Sequence, residues 1–317
     1  MDGNLIEIRH LKKYFQTPKG LLHAVDDISL NIKKGTTLGV VGESGCGKST
    51  LGRTILRLVE ATSGQVIYNG RNVLEASAAD MKKLRRKLQM IFQDPYASLN
   101  PRMSVSQLIK EPLIVNGTAA EKRNINQRVE ELMETVGLAP RLINAYPHEL
   151  DGGRRQRIGI ARALSLQPDF IVCDEPVSAL DVSIQAQILN LMSDLQKEIG
   201  LTYMFITHDL SVVRHISDEI AVMYLGQCVE RVKSEELFAR PLHPYTQALL
   251  KAIPIADLSM RNRKREIIKG ELTSPIDPKP GCRFAPRCPY TKPECYGENI
   301  ALKEVEPDRF VACVLYQ

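Results

Sequence analysis

The sequence predicts an α/β fold: a parallel sheet fed by alternating strands and helices, an inserted helical subdomain, and a small irregular lobe that carries cysteines at the C-terminal end. Three observations predict it. Short apolar runs, "TTLGVVG", "LQMIFQDP", "DFIVCDEP" and "LTYMFITHD", each stop abruptly at glycine or at charge, as buried strands do. Between Pro95 and Leu164 the apolar positions repeat every three to four residues, which is helical spacing. Four of the seven cysteines, Cys282, Cys288, Cys295 and Cys313, crowd the last stretch.

In chain order, Leu5 to Ile32 reads as strand, broken by the turn "TPKG". The apolar run ending at Gly42 is a buried strand, and "STLGRTILRLV" after it places Leu51, Ile55, Leu58 and Val59 at helical spacing. "LQMIF" is the next strand, and the helical subdomain spans about 95–165. "DFIVC" and "LTYMFIT" are further strands, and "IAVMYLGQCVE" is a strand or hairpin. Near Arg240 the character changes: "RPLHPYTQALL" gives a turn and one helix, and Ile253 to Pro280, rich in proline and charge, reads as a linker. This divides the chain into residues 1–240 and an extension, 241–317.

Bulk composition narrows the class. A length of 317 residues suits one large domain with an appendage, and 44% hydrophobic with 25% charged residues is that of a globular protein with a sizeable core. A net charge of +5 permits an anionic ligand or a membrane surface without demanding either. No apolar run approaches the roughly 18–20 residues that span a bilayer, and "MDGNLIEIRH" lacks the layout of a signal peptide. The expected location is therefore the cytoplasm, free or docked on a membrane partner.

The most specific motif is "GESGCGKST", Gly42 to Thr50, which fits G-x-x-x-x-G-K-[ST] between a predicted strand and a predicted helix. Gly42, Gly45 and Gly47 allow turns closed to residues with a Cβ, so the N–H groups of Glu43, Ser44, Cys46 and their neighbours converge on phosphate oxygens. Lys48 supplies a point charge for the β- and γ-phosphates, and Ser49 a hydroxyl oxygen for Mg²⁺. "FIVCDEP" supplies the second half. Asp174 emerges at the C-terminal end of a buried strand, where ligands of such sheets sit, and can hold Mg²⁺ through water. Glu175 beside it can take a proton from an attacking water. Gln93 and His208 follow two other strands, within reach of the metal or water and of the γ-phosphate respectively.

"HELDGGRRQRIGIARAL" adds Asp151, Gly152 and Gly153 at the start of a helix. With "GESGCGKST", "FQDP", "FIVCDEPVSALD" and "ITHD", in this order and spacing, it resembles the ABC-type ATPases, the nucleotide-binding subunits of membrane transporters. "HPYTQALL" and the later "GCRFAPRCP" resemble the C-terminal extension of the oligopeptide and dipeptide importer ATPases, a subfamily that also includes importers of nickel and metal–chelator complexes.

The resemblance implies a P-loop NTPase core and an ATPase that pairs head to tail with a second cassette. Each ATP then touches the phosphate loop of one subunit and the signature segment (Asp151–Gly153 here) of the other. It implies Gln93 as Mg²⁺ ligand and permease sensor, Glu175 as catalytic base, His208 as γ-phosphate switch, and Asp181 at the dimer seam. It implies an aromatic on adenine, Phe15 first and Tyr14 as fallback, and a permease groove around Gln93 to Met103. It implies two transmembrane permease subunits, an extracytoplasmic substrate-binding protein reached indirectly, no nucleic acid, and a place at the cytoplasmic face of the membrane. A soluble ABC-type ATPase acting on ribosomes or DNA is the competing class. Those usually have two cassettes in one chain or a long coiled-coil insertion, and this chain shows neither.

Two departures matter. The usual signature has Ser at position 151 and Gln at position 154; this chain has Asp151 and Arg154. Asp caps a helix as well as Ser does, but an ionised carboxylate only accepts hydrogen bonds and repels phosphate. Either the cap is all that matters, or this chain pairs with a non-identical ATPase and the site built on Asp151 hydrolyses poorly. The cysteines, separated by five, six and seventeen residues, lack the C-x₂-C pairs of zinc ribbons. A [4Fe–4S] cluster fits better, as in some members of the subfamily, with zinc or free thiols as the alternatives. Cys46 and Cys173 read as small apolar residues.

Overall fold

The computed structural model describes residues 3–253 and 274–317. In chain order its elements are β1 (Asn4–Thr17), β2 (Gly20–Lys33), β3 (Thr37–Val41), α1 (Lys48–Ile55), β4 (Ser63–Tyr68), β5 (Arg71–Asn72), α2 (Ala78–Lys87) and β6 (Leu88–Ile91). Next come α3 (Val105–Asn116), α4 (Ala119–Arg123), α5 (Ile125–Thr135), α6 (Gly152–Leu164), β7 (Phe170–Asp174), α7 (Val182–Ile199), β8 (Thr202–Ile206) and α8 (Leu210–Ile216). The chain closes with β9 (Glu219–Tyr224), β10 (Gln227–Lys233), α9 (Ser234–Ala239), α10 (Pro244–Ala252), β11 (Lys303–Glu306) and β12 (Arg309–Val311). Most of the expected linker, residues 254–273, lies outside the described residues.

Two compact units divide the chain. The first takes Met1–Ile6, Ile32–Thr36 and Tyr68–Ile206. Its strands β6, β7 and β8 pair in parallel, Leu88 opposite Phe170 and Phe170 opposite Thr202. All five residues of β7 and of β8 are buried, as the unbroken apolar runs require of a sheet covered on both faces. The helical stretch forms α3 to α6. A capping box closes the start of α3, Ser104 with Gln107, and another that of α4, Thr118 with Glu121. The Arg86 guanidinium grips the Glu121 carboxylate and holds it down to about 2, so it stays charged. Asp181 caps α7 through the Ile184 N–H at 3.0 Å, and the helix stops at Gly200, φ +68°.

The second unit takes Glu7–Asn31, Thr37–Ile67 and Thr207–Gln317. Here β3 pairs in parallel with β9, Val40 opposite Ala221. The sequence's "IAVMYLGQCVE" is a hairpin, β9 turning through Leu225 and Gly226 into antiparallel β10. The C-terminal lobe is less irregular than the sequence suggests. β12 pairs antiparallel with β10, and β11 with β12. Glu230 of β10 is fully buried and accepts the Leu242 and His243 N–H groups, each at 2.9 Å, with Arg309 at 3.7 Å. Burial raises its pKa, and those donors and Arg309 offset part of the rise. Val41, Tyr224, Tyr245 and Phe284 share one apolar core, so the extension packs on the strand that feeds the phosphate loop.

Candidate active site

In the second unit, the phosphate loop leaves β3 at Gly42 and enters α1 at Lys48. Gly47, φ +102°, occupies the left-handed region, and a Cβ there would stand 1.9 Å from the Ala24 carbonyl oxygen. The start of α1 therefore has no side-chain cap, and its first turn no acidic residue. This is the arrangement that leaves helix N–H groups and the positive end of the helix dipole to an anion. Lys48 is buried, its ammonium donating to the carbonyls of Gly42 at 2.8 Å and Glu43 at 3.0 Å. Cys46 is buried too, and burial raises its thiol pKa against the pull of Lys48. The Thr207 N–H donates to the Val40 carbonyl at 3.1 Å, which fixes the turn carrying the exposed His208 beside the end of β3.

In the first unit, β7 ends with Asp174 fully buried, and Glu175 follows with φ +46°, a conformation costly for a residue with a Cβ. The Glu175 N–H donates to the Ile206 carbonyl at 2.9 Å, which holds the strained turn. Gln93, just past β6, donates from Nε2 to Glu175 Oε2 at 3.0 Å. The structure thus brings together two residues that the sequence placed 82 apart.

The signature segment opens α6. Asp151 is its N-cap, accepting the Arg154 N–H at 2.8 Å, and the Arg154 guanidinium lies 3.3 Å from the second carboxylate oxygen. Both side chains are about half exposed, so the pair is weak. A Cβ on Gly153 would meet Ile184 of α7 at 2.7 Å: close helix packing demands this glycine. Deeper along α6, Arg155 donates to the Pro147 carbonyl at 2.6 Å and lies 3.8 Å from the Tyr96 ring centroid; Arg162 donates to the Ser98 carbonyl at 2.6 Å.

Of the two candidate adenine rings, Tyr14 is engaged within the second unit. It stacks on His23 at 3.9 Å between centroids and donates its hydroxyl to Asp26. Burial pushes the Asp26 pKa up, but hydrogen bonds from Tyr14 and His23 and the Arg283 guanidinium more than reverse this, and the net shift is down. Phe15 is half-buried, with the Lys13 ammonium 4.6 Å from its ring centroid.

All four C-terminal cysteines line one small cavity, about 10 Å³, with His243 and Phe284. Burial raises the pKa of Cys282 to about 11 and also raises those of Cys288 and Cys313. His243 is fully buried. Its Nδ1 accepts the Tyr245 N–H at 3.1 Å, so the proton sits on Nε2, which has no partner. Burial depresses its pKa to about 3. An orphan donor beside four sulfurs suits an acceptor-rich occupant such as a thiolate-bound group. Among the described residues, no group of three or more His, Cys, Asp or Glu is drawn tightly enough to hold a single metal ion.

Comparison with known proteins fixes the class. The "ABC transporter" family profile matches residues 25–178, and "Oligopeptide/dipeptide transporter, C-terminal region" matches 229–295. The putative oligopeptide transport ATP-binding protein YkfD of Bacillus subtilis (strain 168) is 54% identical, over 99% of this chain and 96% of its own length. OppF of the same organism, an oligopeptide transport ATP-binding protein, is 54% identical over 99% of this chain and 97% of its own. Among solved structures, the ATP-binding cassette MJ0796, a dimer bound to ADP and Pi, aligns with TM-score 0.66 at 29% identity, over 72% of this chain and 98% of that one. The chain belongs to the ABC transporter ATPases, in the branch that carries the oligopeptide/dipeptide transporter C-terminal region. It is a P-loop NTPase that binds and hydrolyses ATP. No helix among its described residues is long and apolar enough to cross a membrane.

Sequence reasoning singled out "HPY" and "GCRFAPRC" but gave no task to Tyr245, Arg283 or Arg287, all three of which bind groups in or around the phosphate loop and its flanking strands. The visible signal was two arginines spaced with the cysteines, in a lobe otherwise short of core residues.

Proposed function

We propose that this chain powers import of peptides. It would work at the cytoplasmic face of a membrane, with two permease subunits, a second and non-identical ABC ATPase, and a substrate-binding protein on the far side. The observation that carries the reading is likeness along the whole chain, extension included, to oligopeptide transport ATP-binding proteins. Each unit brings its own chemistry. Lys48 and the loop N–H groups bind the β- and γ-phosphates, Ser49 contributes to Mg²⁺, Phe15 stacks on adenine, and His208 touches the γ-phosphate. Asp174 and Gln93 serve Mg²⁺, and Glu175 takes the proton of the attacking water; its bond from Gln93 supports the pairing of base and sensor. The test is reconstitution with the neighbouring permeases. Peptide-dependent ATP hydrolysis is expected, falling about 10²-fold or more in Glu175→Gln while ATP still binds. Hydrolysis unaffected by Glu175→Gln would remove the base assignment, and indifference to peptides would remove the cargo.

The non-identical partner rests on Asp151. A carboxylate about 4 Å from a phosphate charge is opposed by about 4 kcal/mol at an effective dielectric of 20, and the half-exposed Arg154 offsets only part of that. The site that Asp151 completes would then bind ATP and turn it over slowly. Co-purification of two different ATPases supports this reading; a homodimer with two equally active sites overturns it.

For the cysteine lobe the proposed occupant is a [4Fe–4S] cluster held by Cys282, Cys288, Cys295 and Cys313. Their convergence on one cavity with the orphan His243 N–H supports it. A single zinc needs its four sulfurs about 3.8 Å apart, from Zn–S bonds near 2.3 Å. A cluster binds each thiolate to a different iron and so takes a wider set. Its contribution would be structural, pinning a lobe with little core. Anaerobically purified protein should absorb in the sulfur-to-iron charge-transfer region; a colourless sample with stoichiometric zinc overturns the assignment.

A further inference from the structure

Besides the turn bond from the Cys46 N–H to its carbonyl, four hydrogen bonds hold Glu43, the second residue of the phosphate loop, and three of them involve the C-terminal extension. Its N–H donates to the Tyr245 hydroxyl oxygen at 2.9 Å. Its carboxylate takes both arms of the Arg287 guanidinium, at 3.1 and 3.3 Å. Its carbonyl accepts the Lys48 ammonium at 3.0 Å. Tyr245 lies in α10 and is fully buried against Tyr224 and Phe284. Arg287 ends a short 3₁₀ turn, Ala285–Arg287, directly before Cys288; its side chain is 7% exposed and also donates to the Tyr224 hydroxyl at 3.3 Å. Both anchors are therefore rigid parts of the extension's own core rather than passing surface contacts.

Two physical consequences follow for a loop that must receive a triphosphate. Fixing a backbone residue costs roughly 1–2 kcal/mol in conformational entropy, and a loop fixed in advance spares binding that cost. Glu43 also places a carboxylate in a segment whose ligand is polyanionic, and an Arg fork is the partner best suited to neutralise it. We propose that Arg287 and Tyr245 are positioning residues for the nucleotide. Through Glu43 they hold the first turn of the phosphate loop in shape and cancel its one carboxylate, so the C-terminal extension sets the affinity for ATP. The inference rests on the phosphate-loop reading, which Lys48→Ala tests separately by abolishing ATP binding in every background.

The experiment uses the full chain assembled with its permeases, and measures ATP Kd, KM and kcat together. Arg287→Ala should raise Kd and KM about tenfold and leave kcat within about twofold, the mark of lost ground-state positioning. Tyr245→Phe, which removes only the hydroxyl, should raise Kd about threefold. Adding Glu43→Gln to Arg287→Ala should recover most of the lost affinity, because no unpaired carboxylate then faces the phosphates. Unchanged Kd in both Arg287→Ala and Tyr245→Phe overturns the proposal. So does a tenfold loss that persists in the Glu43→Gln double variant while Tyr245→Phe binds ATP normally, which would mean that Arg287 only keeps the lobe folded. A fall in kcat with Kd and KM unchanged overturns it too. Should Arg287→Ala fail to fold, Tyr245→Phe and Arg287→Lys, with Glu43→Gln added to the latter, carry the same comparison.

Discussion

α1 has Gly47 at its N-cap, with no side chain to offer the helix end, whereas α6 has Asp151, whose carboxylate accepts the Arg154 N–H at 2.8 Å. Both corners are rich in glycine, and both belong to segments proposed above to meet nucleotide. The first leaves its amides open to a ligand; the second satisfies one of its own and adds a negative charge to the helix start. Glycine content is therefore a poor guide to anion binding by itself. At Gly47 the residue is set by backbone conformation, at Gly153 by the approach of Ile184. α10 offers a third solution, capped by the neutral Nδ1 of buried His243.

The contrast can be broken at the open corner first. Lys48→Ala should lower ATP hydrolysis by the assembled transporter at least about 100-fold, read as phosphate release; a small effect would mean that the open helix start alone holds the nucleotide. The imidazole cap comes next. The folded pKa of His243, about 3, lies below its ordinary 6.5, so the unfolded chain takes the proton first as pH falls. Its contribution is complete above pH 6.5 and declines from there toward pH 3, by about 1.4 kcal/mol per pH unit inside that window. Thermal melts between pH 7 and 5 should show the slope in the native chain and a flatter profile in His243→Asn.

At the closed corner, Asp151→Ser and Asp151→Ala both remove the charge, but only Ser keeps the cap. Both should raise turnover several-fold if the carboxylate is what slows the site, while Ala alone loses about 1 kcal/mol of stability. Arg154→Ala is the smallest change: stability should stay within about 0.5 kcal/mol, the worth of an exposed pair, with ATP affinity slightly weakened as Asp151 loses its counter-charge.

The parallel strands and the phosphate loop were legible because their signals are local. Buried β3, β7 and β8 are unbroken apolar runs, and the loop's glycines and lysine are adjacent in sequence. α2 was passed over because it is strongly charged, with Met81 alone buried. β11 and β12 were passed over because two short strands of mixed polarity acquire meaning only once β10 is there to pair with them. The Gln93–Glu175 bond and the Arg287–Glu43 fork each join residues far apart in the chain, 82 and 244 positions respectively, and no local pattern encodes such a meeting. The helix-cap role of Asp151 was readable from residue type, since aspartate is a preferred N-cap; its ion pair with Arg154 depends on rotamers and was not.

Tyr96 and Ser98 are tied to α6 at points about two turns apart, one by an arginine lying on its ring and the other by a bond from Arg162 to its carbonyl. Residues 96–98 and this helix are in effect a crank and its shaft. A displacement of the exposed Tyr96 loads the first turn of the helix, next to Asp151, and a displacement of Ser98 loads its last.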